Sequence, residues 1–237
     1  MQTPQINATS SQVDNILERK LSPKSAPSEI EIAKFVTTKI CHDIAGVIGA
    51  VNSGVEFIHS KDEQMRSKAL ELLTSSSSQV VHRLVFLRNA YGVSKYEGEA
   101  NLEELKKIAT EYLLETKSTL DFHEKYFRLP NVFISSEVGS LILSIIHHAH
   151  LNLIHGGEIR LRIIRKNNQT HISVTAIGPS PKIDQEKSRI LNGDLVNFSI
   201  NTKNCISFFA NMFAKSINVQ LTTNIGSKDS VEYEIII

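Results

Sequence analysis

The sequence predicts an α+β chain: an N-terminal antiparallel hairpin of two long helices, followed by a C-terminal α/β sandwich. Two observations predict the hairpin. Apolar residues recur three and four positions apart through about 28–58 and again through about 63–90. Only the short polar link His59-Ser60-Lys61-Asp62 separates the two runs, which makes them antiparallel neighbours. A third observation predicts the sandwich. Beyond residue 100, helical patterns and alternating segments follow one another with Gly-, Asn- and Pro-rich turns between them.

Composition bounds the rest. A chain of 237 residues holds one large domain or two small ones, and 41% hydrophobic content is ordinary for a globular protein. The net charge of +1 gives no electrostatic case for nucleic acid or an anionic membrane. No apolar run reaches the roughly 18 residues of a membrane span, and the polar N-terminus lacks the apolar core of a signal peptide. The two cysteines, Cys41 and Cys205, do not form a metal-type pair, and nothing favours a disulfide between them. A reduced, cytoplasmic protein is expected.

In chain order, residues 1–27 are rich in Gln, Ser, Thr, Asn and Pro and read as a disordered tail. Asn7-Ala8-Thr9 fits a glycosylation acceptor that a cytoplasmic chain would not use. Ser28 and Glu31 fit a capping box, and the first helix then runs to about Ile58. Its seam is Ile40, Ile44, Val47, Val51, Val55 and Ile58. The second helix runs from about Glu63 to Ala90, interrupted by the poor helix formers Ser75-Ser76-Ser77-Ser78. Residues 28–92 thus form one helical domain. Two helices alone do not enclose a core, so a second copy completing a four-helix bundle, a homodimer, is expected. The rival is that the C-terminal half covers the seam within one chain.

The domain at 100–237 begins with Asn101 capping a helix to about Thr116. Short strands are expected at 120–123 and 131–134, then a strongly apolar helix from Glu137 to about Ile154. Strands at 158–165 and 171–177 are joined by Asn167-Asn168, and Gly178-Pro179-Ser180-Pro181 is a rigid loop. Helices at 184–191 and about 202–215 precede closing strands at 217–223 and 231–237, with Gly226 in their turn.

The chemistry concentrates in Lys39-Ile40-Cys41-His42-Asp43-Ile44-Ala45-Gly46-Val47-Ile48-Gly49-Ala50. At about 100° per residue, His42 lies about 200° from Ile40 and Ile44, on the face away from the seam. Gly46, Gly49 and Ser53 share that face. Each glycine costs a helix about 1 kcal/mol against Ala, so two beside an exposed histidine suggest close approach of another backbone. A surface histidine with incidental glycines fits the pattern as well. Cys41, about 100° around the helix from His42, reads as a packing residue.

These residues, with Val51-Asn52-Ser53-Gly54-Val55-Glu56 after them, resemble the phosphoacceptor helix of ChpT-type histidine phosphotransferases. These are bacterial phosphorelay proteins similar to histidine kinases that lack ATP binding. Val47 stands where the family usually has proline. The resemblance implies that His42 is the phosphoacceptor, relaying a phosphoryl group between receiver-domain aspartates. Asp43 would accept or orient the imidazole proton, and Gly46, Gly49, Asn52 and Ser53 would contact the partner. It implies a CckA-like hybrid kinase as donor, with CtrA-like and CpdR-like regulators as acceptors. Mg²⁺ is expected on the partner receiver, with no cofactor or metal of the chain's own. Gly46 occupies the position where many bifunctional kinases carry a Thr or Asn, so little phosphatase activity is expected by that route.

The element order of the second domain resembles the ATP-binding domain of histidine kinases. His148 stands where that domain's Mg²⁺-binding asparagine belongs, and Ala176 where its adenine-reading aspartate belongs. No ATP binding and no autophosphorylation are expected. The cluster His147, His148, His150 and His155 lacks well-placed carboxylates or cysteines and reads as polar residues flanking a buried helix rather than a metal site. Two alternatives stand beside the relay: a divergent ATP-binding histidine kinase, and a non-catalytic dimeric scaffold.

Overall fold

The computed structural model describes residues 26–93, 98–114, 116–127, 129–130, 132–179, 181, 184–225 and 229–237. The expected tail up to residue 25, with its Asn7-Ala8-Thr9, lies outside the described residues, as do Ser180 and the Gly226 turn.

Two 29-residue helices form the hairpin, α1 (Glu29–Phe57) and α2 (Glu63–Tyr91). Ser28 starts α1 with a reciprocal cap. Its hydroxyl accepts from the Glu31 N–H at 3.3 Å, and its own N–H donates to the Glu31 carboxylate at 2.9 Å. Asp62 caps α2, accepting from the Gln64 N–H at 2.8 Å. The seam follows Val47, Val51 and Ile58 as expected, but Val55 faces solvent and Gly54 takes its place in the seam. The reason is steric: a Cβ on Gly54 would stand 2.7 Å from Cγ of Leu73, so only glycine admits Leu73 there. The serine run does not break α2. Ser76 is buried in it.

The C-terminal part contains α3 (Leu102–Leu113), β1 (Ser118–Phe122), α4 (Ser136–Asn152), β2 (Gly157–Lys166) and β3 (Gln169–Ile177). It continues with α5 (Gln185–Leu191), α6 (Cys205–Ser216), β4 (Gln220–Ile225) and β5 (Ser230–Ile236). The strands form one sheet in the order β1-β2-β3-β5-β4, antiparallel except for the parallel β1–β2 pair. Ile159, Leu161, Ile163, Ile172, Val174 and Ile235 line the inner face and are fully covered by the helices. Arg160 and Arg162 on the outer face pair with Asp121.

The expected strand at 131–134 is absent among its described residues. A single bridge joins Glu99 to Ser135, and the Ala100 N–H donates to the Ile134 carbonyl at 2.8 Å, before Ser135 caps α4. Helix α6 starts at Cys205 rather than near Thr202. The Asn201 side chain captures the backbone N–H groups of Lys203 at 2.8 Å and Asn204 at 3.2 Å in a turn.

The two parts share a core. Phe86 of α2 stacks on Tyr112 of α3 at 3.9 Å, and the Tyr91 hydroxyl meets Nδ1 of His147 at 2.6 Å. Ile32 and Val36 of α1 pack with Ile190, Ile206 and Phe208. The C-terminal half therefore covers the base of the hairpin. Farther out, Ile48, Val55, Leu70, Val81 and Leu84 remain exposed.

Candidate functional site

His42 projects from the middle of α1, with its side chain 86% accessible. Its Nδ1 lies 3.5 Å from Oδ1 of Asp43, longer than an ordinary hydrogen bond but close enough for the carboxylate to orient the ring. Asp43 is itself held. Nζ of Lys39, one turn earlier, donates to both carboxylate oxygens at 2.6 and 2.7 Å. Arg83 of α2 donates to the Asp43 backbone carbonyl at 3.3 Å, tying this turn to the second helix. The result is an exposed imidazole with a fixed anion on its Nδ1 side and its Nε2 side open. Lys39 and Arg83 thus join the site beyond the residues expected from the sequence. The Lys39–Asp43 spacing of four residues was the available signal. The Arg83 contact spans 40 residues and left none.

Beyond His42, Gly46 and Gly49 are exposed, and a Cβ on either would meet nothing within 4 Å. No contact within this chain demands glycine at either position among the described residues. Asn52 is exposed and Ser53 half-buried. Cys41 is exposed, correcting its reading as a packing residue. It faces out because the seam positions beside it, Ile40 and Ile44, turn inward. Both cysteines are free.

A cleft of about 410 Å³ opens between this face of α1 and the C-terminal part, and His42 stands in its wall. Lys39, Lys187 and Lys203 line it together with one carboxylate, Asp184. Nothing in the linear pattern joined residues 187 and 203 to residue 42.

Positions 148 and 176, which the sequence sets against a nucleotide site, are both buried among protein groups. His148 is buried, with Nε2 2.9 Å from Ser207 Oγ and Nδ1 3.2 Å from the Tyr233 hydroxyl. Asn152 donates to the same hydroxyl at 2.6 Å. Burial, then the nearby charge of Lys187, pushes the His148 pKa down to about 3. The cavity left between His148, Asn152, Lys187 and Tyr233 is about 10 Å³, room for a water at most. Ala176 is wholly buried in the sheet. His147 is enclosed by Phe86, Tyr91 and Tyr112, and burial holds it neutral. His150 bonds Ser118 at 3.1 Å and is pushed down to about 4, again mainly by burial. No group of three or more His, Cys, Asp or Glu among the described residues is placed to hold a metal. No helix among them is long and apolar enough to cross a membrane.

Comparison with known proteins agrees with this geometry. The chain is 21% identical over 207 residues to the protein phosphotransferase ChpT of Brucella abortus (strain 2308), covering 86% of this chain and 95% of that one. A solved structure of a bacterial phosphotransferase superposes with a TM-score of 0.73 at 18% identity, over 90% of this chain and all of the other. The family model of the histidine phosphotransferase C-terminal domain matches residues 102–229, more than half of the chain. This chain therefore belongs to the histidine phosphotransferase family, its phosphotransferase C-terminal domain following a helical hairpin that presents His42 to solvent.

Proposed function

We propose that this histidine phosphotransferase carries the relayed phosphoryl group on His42. The observation that carries the reading is the exposed imidazole with Nδ1 toward the anchored Asp43 and Nε2 open. A proton on Nδ1 leaves the Nε2 lone pair free. The neutral imidazole is the nucleophilic form of the ring. Nε2 attacks the phosphorus of a receiver's aspartyl phosphate in line. The N–P bond forms, the P–O bond breaks, and its electron pair leaves with the receiver's carboxylate. The ring becomes an imidazolium whose Nδ1 proton faces Asp43. The reverse displacement by a second receiver's aspartate completes the relay. Positioning and charge neutralisation, rather than covalent machinery, supply most of the catalysis.

The receiver supplies the aspartate and its Mg²⁺, so the chain needs no metal of its own. Gly46 and Gly49 give the receiver a flat landing on α1, with Asn52 and Ser53 extending it. A hybrid kinase receiver of the CckA type as donor, and CtrA-like and CpdR-like regulators as acceptors, belong to this reading, as does action in the cytoplasm. So does a homodimer, which would cover Ile48, Val55, Leu70, Val81 and Leu84 in a four-helix bundle. Nucleotide is not part of the function. A residual cavity of about 10 Å³ compares with the roughly 300 Å³ or more of an ordinary ligand pocket.

The test is phosphotransfer from a phosphorylated receiver to wild type and His42→Ala. Acid-labile, base-stable label on wild type alone is the expected result. Label retained in His42→Ala overturns the assignment. Asp43→Asn should still be labelled, but at least tenfold more slowly.

A further inference from the structure

We infer that the cleft beside His42 is the seat of the phosphoryl group while His42 carries it, with Lys203 and Lys187 as the cations that hold it. The inference rests on the relay reading above. A phosphoryl group on Nε2 brings a charge of about −1.5 to −2 and three strong acceptor oxygens. During transfer the receiver neutralises that charge. Between transfers the phosphohistidine has only its own chain around it.

The cleft wall offers suitable groups. Lys39, Lys187 and Lys203 line it with His42. Lys39 is committed to Asp43 through both carboxylate oxygens. Lys187 approaches Asp184 only at 3.8 Å, the edge of an ion pair. The ammonium of Lys203 has no ion-pair or hydrogen-bond partner among the described residues. Three ammonium groups therefore stand against two carboxylates, Asp43 and Asp184, and Lys203 is the uncompensated one.

The backbone that presents Lys203 is fixed. Asn201 Oδ1 accepts from the Lys203 N–H at 2.8 Å. The Asn204 side chain donates to Glu186 Oε1 at 2.7 Å and to the Ser199 carbonyl at 3.1 Å. The turn bearing Lys203 is thus pinned to α5, the helix that bears Lys187. On this reading the kinase-like domain no longer supplies a nucleotide phosphate. It supplies two cations for a phosphate received from outside.

The experiment uses the full chain phosphorylated with phosphoramidate, a small donor that modifies histidine directly. The ³¹P resonance of phospho-His42 is identified by its loss in His42→Ala and titrated with pH. In Lys203→Gln the second ionisation of the phosphoryl group should rise by about half a pH unit, as expected for one charge several ångströms away in water-like screening. Lys187→Gln should act in the same direction, and Lys203→Arg should restore the wild-type value. The wild-type-to-Gln difference should shrink in about 1 M salt. A phospho-His42 resonance whose titration is identical in wild type, both Gln variants and their combination overturns the role of the lysines and leaves the relay reading standing. Absence of any His42-dependent resonance, together with no His42-dependent label from a receiver, overturns both.

Discussion

Lowering the pH from 7 to 5 should destabilise this protein through its buried histidines. His148 is hydrogen-bonded to the neutral groups of Ser207, Tyr233 and Asn152, and its pKa is held at about 3 against an ordinary 6.5. The folded state therefore resists a proton that the unfolded chain accepts. The stability from keeping this ring neutral is complete above 6.5 and is lost as the pH falls from there toward 3. Each pH unit inside that window costs about 1.4 kcal/mol per histidine, so His148 alone costs about 2 kcal/mol between pH 6.5 and 5. His147 and His150, both lowered mainly by burial, act in the same direction. Against a typical total of about 5–15 kcal/mol this loss is large. Asp121, through its hydrogen bond from Arg162, and Glu137, through a backbone hydrogen bond, are both held below the ordinary carboxylate range. Urea unfolding of wild type and His148→Gln at pH 7 and pH 5 isolates the term. The variant should lose about 2 kcal/mol less than wild type between the two. Equal losses would refute the claim that His148 is kept neutral at a cost in acid.

Other expectations follow from packing. Gly54→Ala should cost about 1–3 kcal/mol in thermal or urea unfolding, because its Cβ would lie 2.7 Å from Leu73 Cγ. Gly46→Ala and Gly49→Ala meet no atom within 4 Å, so each should gain up to about 1 kcal/mol of stability while slowing transfer with a receiver. An unchanged transfer rate would remove these glycines from the docking surface. Ile48→Asp combined with Leu84→Asp should give a monomer by light scattering if these exposed residues form a dimer seam, with the fold intact by circular dichroism.

The hairpin and the face that carries His42 were legible because both are local. A helix period and a 100° rotation per residue place His42, Gly46 and Gly49 together without tertiary information. Helix caps are equally local, and the capping box at Ser28 and the N-cap at Asn101 appear where the spacing puts them. Failures came where one contact across the fold decides the outcome. Val55 is the better hydrophobe, yet Gly54 holds the seam because Leu73 needs the space. Residues 132–134 have a strand-like composition, yet they join the fold by isolated bonds to 98–100. The sequence sets His147 and His148 beside a buried helix without showing what encloses the rings themselves. Their burial depends on Tyr91 and Tyr233, which lie 56 and 85 residues away. The cleft beside His42 depends likewise on residues 187 and 203, which no periodicity connects to α1.

The hydrogen-bonded site around His148 and the shared core together join the C-terminal domain to the hairpin. Phe86, Leu87 and Ala90 of α2 are buried in the same core as α3, α4 and the sheet. Ile32 and Val36 of α1 are buried against α5 and α6. An isolated hairpin would expose all five at its base, in addition to the apolar side chains already exposed farther out. At about 1.5–3 kcal/mol for each large side chain returned to water, that is a loss comparable to the stability of a whole small domain. The C-terminal domain is thus the support on which the His42 turn is held. His148 strengthens that support, because both of its ring nitrogens are bonded to protein. Helix α6, which sets Ser207 against His148, also sets Ile206 and Phe208 against α1, so the polar site around His148 and the seat of the His42 helix share one element.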